Sequence, residues 1–289
     1  MHPVINHLLQ LQELNLIRDE QKVVSITGKR ADSSKTAVKH LQQLDASIKN
    51  MTEELPDDIR VAFEKLNKKD HIVMASISAD SCSVCGMKIP ISLAQAVRMG
   101  KKIIRCPNCA RILYSPEFTL RRITEGRRRN APPKIGISRF SSYTLMIPRL
   151  KSINKEDAIQ ELGYKMEQEG FVDNGDKLVE EALKREAILS TAVDNGLAFP
   201  HVRGVEGGGL ALALGISKRG INFNGPDTPL THIIFFIVIP TAVSAFYLKL
   251  LAGLTETFMK ADARKAIMTE NDQKNLWKVL LKTTKAFIK

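Results

Sequence analysis

Two stretches, Cys82-Ser83-Val84-Cys85-Gly86 and Cys106-Pro107-Asn108-Cys109, decide how the first half of this 289-residue chain is read. Each is a C-x2-C knuckle, and 20 residues separate them. Two thiolates on one tight turn reach the same cation, and a second knuckle completes a tetrahedron. There is no fifth cysteine, and no histidine between positions 71 and 201. The expectation is therefore one structural zinc ion held by Cys82, Cys85, Cys106 and Cys109, with no position left open for water. Two disulfides or a redox dithiol are the competing readings. Both are weaker, because nothing points to an oxidising compartment and paired knuckles are unusual in redox motifs.

The charge concentrates around these knuckles. The chain carries 43 basic and 31 acidic side chains, a net of +12. Residues 1–70 hold 11 of each, residues 71–142 hold 13 basic and 3 acidic, and residues 143–289 hold 19 and 17. A zinc ion with four thiolates contributes −2, leaving the middle segment near +8. Arg121, Arg122, Arg127, Arg128 and Arg129, followed by Ala131-Pro132-Pro133, read as a solvated basic linker over 121–142. Contact with nucleic acid or with an acidic partner is the alternative use of that charge. Aromatic residues suited to base stacking are sparse, which disfavours nucleic acid.

Upstream, Ala37, Leu41, Leu44, Ile48, Met51 and Leu55 recur every three or four residues, one seam of a helix that ends at Pro56. Ile5, Leu8, Leu9, Leu11, Leu16 and Val23 form a broader stripe before it. With Thr27–Ser34 as the turn, residues 1–70 read as an antiparallel helical hairpin, and residues 71–120 as the ribbon. The run from Leu55-Pro56-Asp57-Asp58 to Cys106-Pro107-Asn108-Cys109-Ala110-Arg111-Ile112-Leu113-Tyr114 resembles the bacterial C4-type zinc ribbon family. In that family a coiled coil precedes the ribbon and the last knuckle runs C-x-x-C-G-R-I-L-Y. Here Ala110 stands at the glycine, which implies an alanine forced towards positive φ. The resemblance implies an interaction module, with the transcription machinery among the candidate partners.

From about 143 the texture changes to alternating elements. Helices are expected at Lys155–Glu169, Asp176–Glu186, Val243–Met259 and Lys274–Ile288, and strands at Leu210–Leu214 and Ile233–Ile239. This makes 143–289 an α/β domain. The fold class is thus multidomain: an α-helical hairpin plus zinc ribbon, followed by an α/β domain. No apolar run reaches the roughly 18–20 residues of a membrane helix. The longest, Ile233–Ile239, stops at Pro240, and Met1-His2-Pro3 lacks the order of a secretory signal. A cytoplasmic protein without a membrane partner is expected.

Of six histidines, His201 stands out, after Gly196-Leu197-Ala198-Phe199-Pro200 and before Val202-Arg203-Gly204. His2, His7, His40, His71 and His232 have ordinary structural explanations. Proline restricts the backbone before His201, and nearby glycines permit close approach by another molecule. Arg185-Glu186, Ser190-Thr191 and Gly196-Leu197-Ala198-Phe199-Pro200-His201 together resemble the mannitol/fructose-type IIA domain of the bacterial phosphotransferase system, a group that includes the nitrogen-regulatory IIA proteins. The resemblance covers 143–289 and implies a mixed sheet flanked by helices. It further implies that His201 accepts a phosphoryl group from an HPr-type phosphocarrier protein, with Arg185 and Thr191 beside it. An imidazole, with an ordinary pKa near 6.5, is a competent nucleophile near neutrality, and phosphoryl transfer needs little beyond alignment and donors. Arg203 is close enough in sequence to assist.

Two departures accompany the match. The family's second histidine, opening an H-L-x-x-L helix, is Tyr247 here, and Thr-Gly-Ile-Gly becomes Thr191-Ala192-Val193-Asp194, which adds the charge of Asp194. The reading is a regulatory protein joining a IIA-like domain to a zinc-ribbon docking module. The alternatives are an adaptor with an unphosphorylated IIA fold and a nucleic-acid-binding ribbon.

Overall fold

The computed structural model describes residues 3–27, 33–116, 135–205, 210–223, 229–240 and 244–288, without side-chain detail at residues 3, 26–27, 33–40, 70 and 244–245. Residues 28–32 of the predicted hairpin turn, the arginines at 121–129, His2 and the His40 side chain lie outside the described residues. The chain divides into two compact units, Met1–Thr119 and Leu120–Lys289.

The first unit opens with α1 (Pro3–Thr27) and α2 (Ser33–Glu53). The predicted seam packs as its period requires: Ile48 and Leu55 are buried, with Leu41, Leu44 and Met51 half-buried. A third helix, α3 (Asp57–Asp70), was not anticipated; Pro56 ends one helix and, with Asp57 and Asp58 in the following turn, starts the next. His71 closes α3 in the left-handed region, at φ 53. Its ring bonds Asn67 Oδ1 at 2.8 Å and faces Asp19 of α1 at 3.4 Å.

The ribbon follows as β1 (Met74–Ser78), β2 (Ser81–Cys82), α4 (Ile91–Met99), β3 (Ile104–Arg105) and β4 (Ile112–Tyr114). The strands pair in the order β2-β1-β4-β3, with β1 and β4 parallel and the outer pairs antiparallel. Hairpin and ribbon share a core of Leu8 and Leu11 from α1, Phe63 and Leu66 from α3, Met74 from β1 and Ile112 from β4. Gln12 of α1 presents one oxygen to two backbone amides: Val73 N–H and Met74 N–H both donate to its Oε1, each at 2.7 Å.

In the second unit, residues 135–142 are integral to the fold although the sequence reads as linker there. Ile137 and Phe140 are buried, the Phe140 carbonyl accepts from Leu212 N–H at 3.0 Å, and Ser141 Oγ donates to the Leu212 carbonyl. Then come β5 (Met146–Ile147), α5 (Lys155–Gln168), α6 (Gly175–Ile188), β6 (Ala192–Val193), β7 (Leu197–Ala198), β8 (His201–Arg203), β9 (Ala211–Ile221), β10 (Thr231–Ile239), α7 (Ser244–Phe258), α8 (Ala261–Thr269) and α9 (Gln273–Thr284). Asn154, Asn174 and Asp272 cap α5, α6 and α9 with side-chain oxygens that accept from backbone N–H three residues on.

The sheet runs β5-β9-β10-β7-β6, with β8 also on β10. β10 is antiparallel to β9 and parallel to both β7 and β8, so the sheet is mixed. Ile233 through Ile239 are fully buried, which explains their unbroken apolar run. β7 and β8 follow β10 in constant register: Leu197 faces Ile233 and His201 faces Ile237. Phe199-Pro200 interrupts the ladder between them, where Ile237 N–H donates to the Pro200 carbonyl at 3.0 Å. That register fixes where His201 stands.

Candidate functional site

The metal centre is built by two matching turns. Cys82 N–H donates to the Met87 carbonyl and Gly86 N–H to the Cys82 carbonyl, both at 2.9 Å. In the second knuckle Cys106 N–H donates to the Arg111 carbonyl at 2.8 Å and Ala110 N–H to the Cys106 carbonyl at 2.9 Å. Each turn ends in the left-handed region, Gly86 at φ 71 and Ala110 at φ 61, so the alanine adopts the backbone expected of the glycine it replaces.

The four sulfurs lie within 4.8 Å of one another, with Cys82 Sγ 3.8 Å from Cys109 Sγ and Cys85 Sγ 3.6 Å from Cys106 Sγ. A Zn–S bond near 2.3 Å in a tetrahedron places ligand sulfurs about 3.8 Å apart, so the cluster has the dimensions of a zinc site with four cysteine ligands. Burial pushes the Cys82 thiol up to about 12 and raises Cys106 as well. At Cys85 burial is outweighed by hydrogen bonds from the Met87 amide, the Asn108 side chain and the neighbouring thiols, which bring it to about 6. Four thiolates coexist here only around a cation. All ligand positions go to sulfur, so the ion would supply folding energy rather than hydrolysis.

The second site centres on His201, the first residue of β8, buried at 1% exposure. Its Nδ1 is 3.0 Å from the Phe199 carbonyl, which can only accept. Nδ1 therefore carries the proton, and Nε2 the lone pair. Tyr247 of α7, also 1% exposed, brings its Oη to 3.3 Å from the same Nδ1, with the rings 5.2 Å apart. The Arg203 guanidinium lies over the Tyr247 ring, 5.0 Å from its centroid. Three of the five expected side chains, His201, Tyr247 and Arg203, thus form one contiguous cluster.

Thr191 belongs to an arrangement organised by Glu186, and Arg185 lies on the same helix, α6, which packs against β8. Arg185, buried on α6, donates from Nη1 to the Leu189 carbonyl at 2.9 Å. The Glu186 carboxylate accepts from Thr191 N–H at 3.1 Å, Thr191 Oγ1 at 2.6 Å and Ser190 Oγ at 2.9 Å. The Thr191 carbonyl then accepts from Phe199 N–H at 3.1 Å. A continuous route therefore runs from Glu186 through Thr191 to Phe199, whose carbonyl orients His201. Glu186 and Phe199 are positioning groups absent from the expected site residues, although the five-residue spacing of Glu186 and Thr191 was a visible signal.

Asp194 does not crowd His201. It sits in the turn between β6 and β7, beyond Leu197. Leu197 and His201 face β10 positions four residues apart, about 13 Å along a strand.

Two known families match the two halves of the chain. Residues 142–283 match the family described as phosphoenolpyruvate-dependent sugar phosphotransferase system, EIIA 2. Residues 81–113 match the C4-type zinc ribbon domain. The chain thus carries two recognised modules. The EIIA-type module is 27% identical over 129 residues to the PTS system fructose-specific EIIABC component of Bacillus subtilis, covering 45% of this chain and 20% of that protein. It is 29% identical over 135 residues to the nitrogen regulatory protein of Bradyrhizobium diazoefficiens, covering 47% and 88%. Among solved structures, nitrogen regulatory protein IIA-Ntr from Neisseria meningitidis aligns with a TM-score of 0.44 and 21% identity over 49% of this chain and 96% of that one. This chain therefore spans only a fifth of the Bacillus protein's length. Among the described residues no helix is long and apolar enough to cross a membrane.

Proposed function

We propose that the protein is a cytoplasmic bacterial regulator in which His201 of the EIIA-type module takes a phosphoryl group from an HPr-type carrier, while the hairpin and zinc ribbon dock a protein partner. The observation that carries this reading is the tautomer set at His201: the Phe199 carbonyl holds the proton on Nδ1 and directs the lone pair to Nε2. In the transfer, Nε2 attacks phosphorus, the N–P bond of the carrier's phosphohistidine breaks, and that bonding pair returns to the carrier imidazole, which leaves neutral because its other nitrogen is protonated, while the His201 ring carries the positive charge until its Nδ1 proton is lost. No proton leaves His201 for the bond to form. Arg203, held over Tyr247, is one cation that can balance phosphoryl charge.

The test is to incubate the protein with phosphoenolpyruvate, enzyme I and the HPr-type carrier and read the intact mass. One phosphoryl adduct, absent from His201→Ala, is expected. No adduct, or one that survives the substitution, removes the phosphoacceptor role.

One observation favours a second reading, an adaptor whose EIIA fold no longer performs chemistry. His201 and Tyr247 are both at 1% exposure, so transfer requires movement of side chains that now enclose the imidazole. The same mass measurement separates the two.

A further inference from the structure

The ribbon helix α4 exposes large apolar residues among polar ones on the face that its own core does not use. Helix α4 buries Ala94 and Val97 and turns Ile91, Ser92, Gln95, Arg98 and Met99 outward. At 100° per residue these five fall on one arc of about 120°. Ile91 is 72% exposed and Met99 61%, and Met87, just before the helix, is 43% exposed. Isolated apolar residues on a surface need no explanation, but three large ones along a single nine-residue helix and its approach form a patch. A cleft of about 260 Å³ opens at the Met99 end, lined by Ile5, Val97, Arg98, Met99, Gly100 and Pro116 among others.

The residues that flank α4 in sequence are mostly basic. Lys88 precedes α4, while Lys101, Lys102 and Arg105 follow it, and all four are exposed. Residues 71–116 contain six basic side chains and a single acidic one, Asp80, which Arg98 already engages. Exposed basic residues beside exposed Ile91 and Met99 complement a partner that is acidic and apolar on one face. Nucleic acid would use the lysines but gains little from Ile91 and Met99. The segment's one Phe, Trp or Tyr, Tyr114, is half-buried, which leaves little for base stacking.

We infer that the α4 face of the ribbon is the docking surface for an acidic amphipathic helix of a protein partner, whose anchoring apolar side chain enters the cleft beside Met99. The inference rests on the ribbon being a docking module and names its face and its ligand class. Methionine at the contact suits such a role, since its flexible thioether adapts to different apolar anchors.

The experiment selects a displayed library of random helical peptides on the full-length, zinc-loaded protein, then measures the enriched peptides by fluorescence anisotropy. The expected sequences are rich in Asp and Glu with apolar residues at i, i+3, i+4 and i+7. Their affinity falls by about tenfold or more in Met99→Asp, and weakens in the double variant Lys101→Glu/Lys102→Glu and between about 50 and 300 mM salt. All three substituted positions are exposed, and retention of one zinc per chain confirms folding. Enrichment without an acidic bias, or affinity indifferent to Met99→Asp, overturns the proposal. A random RNA 20-mer pool that binds through Lys101 and Lys102 and ignores Met99→Asp assigns the face to nucleic acid instead. His201→Ala must leave peptide binding intact, which separates this result from the fate of the phosphoacceptor reading.

Discussion

Ala110 and Gly86 occupy the same position in the two metal knuckles, at φ 61 and φ 71, with the same N–H bond back to the first cysteine at 2.9 Å. Only one of them is the residue that this backbone favours. An L-residue in the left-handed region costs about 1–2 kcal/mol. Glycine gives back part of that gain through the greater freedom of its unfolded chain, about 0.4–1 kcal/mol. Ala110→Gly is therefore expected to stabilise the ribbon by about 0.5–1 kcal/mol. A Cβ built at Gly86 meets nothing within 4 Å, so Gly86→Ala isolates the backbone term and should destabilise by a similar amount. Opposite shifts in thermal midpoint for the two variants are the expected result; shifts of the same sign would show that the knuckles are not equivalent.

The sulfur cluster predicts one zinc per chain and a fold that depends on it. Chelation should remove ordered structure from the first unit while leaving the fluorescence of Trp277, the single tryptophan and part of α9, unchanged. Cys106→Ser should reproduce the loss without chelator. A metal-free protein that retains its full circular dichroism and melting profile would refute the four-cysteine site.

Glu186 holds Ser190 and Thr191 through a carboxylate that accepts from three donors. Glu186→Ala strands the buried Thr191 groups and should cost about 2–3 kcal/mol in urea unfolding followed by Trp277 fluorescence. Glu186→Gln keeps one acceptor oxygen and should cost less. Because Thr191 bonds the Phe199 backbone, both variants should also shift the His201 ring resonances. Unfolding changes without any movement of those resonances would confine Glu186 to a local structural role.

Tyr247 shares the Nδ1 proton of His201 and encloses the ring. Tyr247→Phe removes the hydroxyl and should cost about 1 kcal/mol. Tyr247→His puts a smaller ring in its place and should speed formation of the phosphoryl adduct several-fold, read by intact mass over time. An unchanged or slower rate would mean that burial by Tyr247 does not limit access to Nε2.

What the sequence disclosed follows the range of the interactions involved. The knuckles were legible because four sulfurs on two short turns need only local spacing to find one another. The α2 seam was legible because Leu41 through Leu55 repeat a helical period. β9 extends to Ile221, beyond the expected Leu214, because Gly215, Ile216 and Ile221 pair with β10 across an irregularity that holds Ser217, Lys218 and Arg219. Helix α8 escaped notice because its nine residues bury only Ile267. The enclosure of His201 was illegible for a different reason: Tyr247 lies 46 residues away and reaches it only across the folded sheet.

The two amides that share Gln12 Oε1 give the hairpin a consequence for anyone dividing this chain. A fragment beginning at residue 71 would keep every metal ligand yet lose the acceptor for Val73 and Met74 and the apolar floor beneath Ile112. Such a peptide would bind zinc and still misreport the surface of the intact protein. The smallest faithful fragment starts at the N-terminus, and transplanting the ribbon into another chain requires carrying its helices with it.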